Sequence, residues 1–198
     1  MTAILKVDTI QDTAGNNIIN ESSNTITIGK SGDAVNLASG ATNNLGITMA
    51  DQWRLTTTFT GNASPIATNL ERNDSVGYGK IGTGMTESSG IFTFPSTGIY
   101  FITFSACIYR VNADAVMNSE IAVTTDNSSY TIVARGYTGT GSLASNYNPT
   151  YTSIFLDVTD VSNVKVRFNI SSNNQNNGVV GSSGTNTTHM TFLRMGDT

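Results

Sequence analysis

The stretch from Gly90 to Cys107 reads Gly-Ile-Phe-Thr-Phe-Pro-Ser-Thr-Gly-Ile-Tyr-Phe-Ile-Thr-Phe-Ser-Ala-Cys, two runs of aromatic and β-branched residues parted by Pro95 and Gly98. Proline fixes φ and has no amide donor, while glycine tolerates positive φ, so Pro95 to Gly98 is predicted to be a turn between two strands. Side chains alternate along a strand, which puts Tyr100, Ile102 and Phe104 on one face. A row of large apolar groups with no cofactor chemistry beside it suits burial inside a sandwich or between subunits.

Strand-like segments recur along most of the chain. Trp53 to Phe59, Gly90 to Phe94, Ile99 to Ile108, Ser119 to Thr124, Tyr130 to Ala134, Tyr151 to Val158, Val164 to Ile170 and His189 to Met195 alternate or run apolar between polar turns. No amphipathic helix of useful length interrupts them. Many short strands without helical crossovers imply antiparallel pairing, and their number and length fit an all-β, two-sheet jelly roll.

Composition says what coats such a sandwich. Ser, Thr, Asn and Gly make up about 46% of the 198 residues, whereas charged residues make up 12%. Hydroxyls and amides, not ions, solvate this surface. The net charge of −4 and the scatter of ten basic residues from Lys6 to Arg194 argue against a phosphate-binding role, so nucleic acid is not expected as a partner. Cys107 is the single cysteine; it forms no intrachain disulfide, and its place in an apolar run predicts a small core residue. The first ten residues lack the basic start and continuous apolar stretch of a secretory signal, and no run reaches transmembrane length, so synthesis in a cytoplasm without membrane insertion is expected.

Residues 18 to 48 differ from the rest. Short apolar pairs, Ile18-Ile19, Ile26 with Ile28, Val35 with Leu37 and Leu45 with Ile47, return about every nine residues between Gly, Asn, Ser and Asp, in the range of short β-rung repeats. One copy has too few inward side chains to bury its own faces, but three copies wound together enclose them. A β-prism shaft with corners at residues 29–33 and 38–42 is therefore expected, with Ile26, Ile28, Val35 and Leu37 at its core.

The spacing Gly90, Phe92, Gly98, Tyr100 resembles the motif near the start of C1q/TNF-like jelly rolls, a family of trimeric heads that recognise partners through their outer surfaces. Lys6 to Asn17 resembles the start of many tail-fibre and other virion structural proteins of marine bacteriophages. In that group, segments like Thr25 to Val35 and Asp51 to Leu55 also occur, the latter where the head begins. The resemblance implies an attachment segment over 1–20, a short β-repeat shaft over 21–50 and a jelly-roll head over 51–198. It further implies a homotrimer in the virion, held to other virion proteins through residues 1–20, whose head meets the host surface or another virion protein. A capsid decoration or vertex protein is the nearest alternative. The late strand Thr191 to Met195 would return to the trimer axis, and the expected trimer core includes Phe92, Tyr100, Ile102, Phe104 and Phe192. Family members often carry Gly-Asp before the penultimate strand; here Asp160, Ser162 and Asn163 stand there and supply turn hydrogen bonds of their own.

Reaction chemistry is not visible in this sequence. His189 is the one residue that titrates near neutrality unshifted, and its place at the entry to the last strand suits a strand or interface position. Zinc would need more His or Cys, the aspartates are not spaced as calcium ligands, and no nucleophile elbow occurs, so no catalytic residue, metal ligand or cofactor is assigned. Gly77 to Gly82 is glycine-rich but lacks the context of a nucleotide site and reads as a loop. Carboxylates meeting between subunits, as in a tailspike-like glycan hydrolase, are the remaining enzymatic alternative. Two stretches have the composition of binding loops, Gly136 to Pro149 and Ser171 to Asn186. Their Tyr137, Asn146, Tyr147, Asn174 and Asn176 are candidates for contact with a host glycan or receptor, because a ring packs on a sugar face and amides bond its hydroxyls.

Overall fold

The computed structural model describes residues 46–111, 116–139, 146–173 and 177–198. The attachment segment and the shaft residues Ile26, Ile28, Val35 and Leu37 lie outside the described residues, as do Asn174 and Asn176.

Twelve strands and no helix form among the described residues. They are β1 Met49–Leu55, β2 Thr57–Thr60, β3 Leu70–Arg72, β4 Thr86–Ser88, β5 Ile91–Thr93, β6 Gly98–Arg110, β7 Met117–Thr124, β8 Thr131–Thr138, β9 Tyr147–Val158, β10 Lys165–Ser172, β11 Asn177–Ser182 and β12 His189–Gly196. All pairings are antiparallel. The first sheet runs β2-β11-β6-β12-β1-β3 with β9 along the free side of β6; the second runs β4-β5-β10-β7-β8. The described residues form an all-β jelly-roll sandwich. The Pro95 to Gly98 turn forms, yet it carries the chain from the second sheet to the first instead of closing a hairpin.

The two inner faces meet in one aromatic core. Phe104, Phe192 and Trp53 from the first sheet interlock with Phe92 and Phe168 from the second, with centroid separations of 5.1 Å for Phe104–Phe168, 5.2 Å for Phe92–Phe192 and 5.5 Å for Trp53–Phe92. Tyr100 packs on Phe94 and spends its hydroxyl on the Ser96 carbonyl at 2.9 Å. Phe92, Tyr100, Ile102, Phe104 and Phe192 are all 0% exposed in the single chain. They share a face, as the alternation requires, but that face is the protomer's own interior, which corrects their assignment to a trimer core. Burying a side chain of this size contributes about 1.5–3 kcal/mol, so these positions account for much of what holds the sheets together.

Cys107 is corrected too. It stands between inward Ala106 and Ile108, so the same alternation turns it outward, where it is half-buried. Partial burial pushes its thiol pKa up, which disfavours the reactive thiolate. Three strands escape a reading of hydrophobic pattern: β3, β4 and β11. The last of these lies inside the supposed loop 171–186, and β8 and β9 likewise extend into the supposed loop 136–149.

Candidate interaction surfaces

With even-numbered residues of β6 turned inward, the odd-numbered ones form the outer face of the first sheet. Phe101 pairs with Phe155 on β9, their rings 5.0 Å apart, and Tyr109 pairs with Tyr147, 6.1 Å apart. Phe155 is 69% exposed, and Tyr147, Tyr151 and Met195 are exposed as well. An aromatic stripe thus runs along β6 and β9 with no part of the described chain covering it.

Beside the stripe the face becomes polar and rigid. Arg54 on β1 is nearly fully buried although it points outward, because the connection after β3 folds over it. Its guanidinium donates to Glu71 at 2.6 Å, Asn73 at 3.1 Å, Asp74 at 2.7 Å and Ser75 at 2.6 Å. Asp51, on the inward side of β1, accepts from Arg72 Nε at 3.0 Å, the Trp53 indole at 3.0 Å and the Met85 amide at 2.7 Å. Arg72 also lies over the Trp53 ring, 4.8 Å from its centroid. Together with the Ala50–Ile81 bridge, these bonds hold residues 73–85 against the sheet edge, including the Gly77 to Gly82 loop. His189 stands on the outer face opposite Arg54 and Ser105. Burial lowers its pKa, opposed by the backbone hydrogen bond with Asn186, and its Nδ1 has no hydrogen-bond partner among the described residues.

The strand directions sort the connections into two poles. Gly98 pairs with Val158, and Met49 with Arg194, at one pole, where the described chain enters; Arg194 there donates to Thr97 O at 2.8 Å and reaches Thr48. At the same pole Asp160 accepts from Ser162 N and Asn163 Nδ2, both at 2.7 Å, so the turn forms without Gly-Asp, and these bonds lower its pKa. Tyr109 pairs with Tyr147, and Met117 with Thr138 and Ser172, at the other pole. The connections from β6, β8 and β10 leave there, so the contact candidates Tyr137, Asn146 and Tyr147 gather at one end. They do not share a face. Tyr147 belongs to the outer face of the first sheet and Tyr137 to the outer face of the second, beside Asn118. The face carrying Phe101, Phe155 and Tyr151 was missed in the sequence because the alternation gives two faces and nothing in the local pattern says which is inside.

The fold matches solved TNF-like jelly rolls. Murine APRIL is 14% identical, with a TM-score of 0.55, and the match covers 74% of this chain and 98% of that one. Eiger TNF from S. frugiperda is 10% identical, with a TM-score of 0.56, over 77% of this chain and 95% of that one. No protein-family model matches the chain, and no curated protein matches it. The likeness is therefore one of architecture, a TNF-like β-sandwich.

Proposed function

We propose that this chain is a non-enzymatic, homotrimeric binding and structural protein, whose sandwich is the head of a virion appendage such as a tail fibre. The aromatic stripe on β6 and β9 carries this reading. Threefold association is typical of the fold, and the exposed Phe155, Tyr147 and Tyr151, with half-buried Phe101 and Tyr109 between them, are the apolar surface such an association would bury. The carboxylates favour a structural role over hydrolysis. Asp51, Glu71, Asp74 and Glu120 are bound by arginines, Glu87 caps the Gly90 amide at 2.6 Å, and Asp126 and Asp160 hold turns. In such a trimer the described chain enters at one pole, and the Tyr109–Tyr147 pole is free to meet a host surface or another virion protein. Several weak contacts per particle then act together through high local concentration.

Sedimentation of the purified chain tests the assembly: a trimer is expected, and a stable monomer at micromolar concentration overturns it. Immunolabelling of virions with an antibody to the head tests the location. Label on tail fibres is expected, label across the capsid faces would make the chain a decoration protein, and virions without label remove the virion role.

A further inference from the structure

The outer face of the second sheet carries a compact polar grid that the assembly does not use. Cross-strand pairing sets Tyr137, Asn118 and Ser171 in one row over β8, β7 and β10, and Arg135, Glu120 and Asn169 in the next. Glu120, 4% exposed, accepts from Arg135 Nε at 2.9 Å, Ser171 Oγ at 3.1 Å and Asn169 Nδ2 at 3.3 Å, while Asn118 Nδ2 donates to Ser171 Oγ at 3.0 Å. Arg135 also engages the Tyr137 side chain. Two acceptors are left over: the carbonyl oxygens of Asn118 and Asn169 are buried without a hydrogen-bond partner among the described residues, and Asn169 is only 2% exposed.

We infer that this grid is a binding site for a neutral saccharide. The Glu120–Arg135 pair cancels its own charge, so the site has no preference for an ion. Unpaired carbonyls call for donors, and sugar hydroxyls are donors. The Tyr137 ring, 66% exposed at the rim, offers the flat apolar surface on which the C–H face of a pyranose packs. The site rests on the proposed role as a binding head and names the class of ligand. It lies on the opposite face from the aromatic stripe, so each protomer keeps it open after the first sheet is covered.

Saturation-transfer NMR on the full chain with methyl mannoside, galactose and N-acetylglucosamine, each at ~10 mM to capture weak single contacts, tests the proposal. Sialyllactose serves as the anionic comparison. Transfer to at least one neutral sugar is expected, about tenfold weaker binding in Tyr137→Ala where one stacking contact is lost, and unchanged binding in Tyr78→Ala. Asn118→Ala should weaken binding as well. No transfer from any of the three sugars, transfer only from sialyllactose, or full binding by Tyr137→Ala overturns the site. A trimer that binds no sugar removes the site and leaves the assembly standing, whereas a monomer that binds sugar does the reverse.

Discussion

The rings of Phe101 and Phe155 lie across the β6–β9 pair with centroids 5.0 Å apart, on the side of the sheet that turns away from the core. Neither ring is needed to close the sandwich, whose interior is filled from the other face. A charge at position 155 should therefore leave the protomer's stability within about 0.5 kcal/mol, as at other surface sites, while ending self-association. Sedimentation of Phe155→Asp is expected to show a folded monomer in place of the trimer proposed for the parent chain.

Gly90 has φ +80°, and a Cβ there would lie 2.3 Å from the Ile66 carbonyl oxygen, a backbone atom with little room to yield. Gly90→Ala combines the left-handed penalty with this clash, for a loss of about 2–3 kcal/mol. Chemical denaturation should show a lower midpoint with an unchanged slope.

Removing the Asp51 carboxylate strips partners from Arg72, the Trp53 indole and the Met85 amide together. Arg72 keeps some access to water, so Asp51→Ala is expected to cost about 3 kcal/mol, toward the low end for a broken buried pair. Hydrogen exchange should speed up in residues 73–85 before it does in β6.

Burial holds His189 below its ordinary value of 6.5, so the folded state takes up its proton less readily than the unfolded chain. Its full contribution to stability is present above pH 6.5 and is lost as pH falls from there to the lowered folded value, below which no further loss accrues. Melting temperature should decline over that window in the parent chain, and His189→Gln should flatten the decline. A second loss is expected under more acidic conditions. Hydrogen bonds from the Ser129 amide, the Thr124 hydroxyl and Ser128 depress the Asp126 pKa far below the usual carboxylate range, and its contribution disappears as pH falls through that depressed value.

The motif Gly90, Phe92, Gly98, Tyr100 illustrates how far local pattern reaches. Gly98 has φ +136°, and a Cβ there would lie 2.5 Å from the Gly196 carbonyl oxygen, while Phe92 and Tyr100 fill the core on either side of the turn, so the spacing reports backbone and packing needs of this sandwich. Among the contact candidates, Tyr137 was legible as an exposed aromatic, but Glu120, Asn169 and Ser171 beside it were not. They come from two other strands, β7 and β10, on which Glu120 and Ser171 stand 51 residues apart, and only the pairing of β7 with β8 and β10 brings them together.

Alternation, turn residues and the scarcity of charge settled by themselves that this chain is an antiparallel β-sandwich, because strand period and turn chemistry are local properties. Which face of β6 is interior, and hence that Phe104 packs against Phe168 while Phe101 packs with Phe155 on the outer face, was decided by tertiary structure alone. A period of two defines a pair of faces equally well, and only the second sheet, arriving over one of them, breaks the tie.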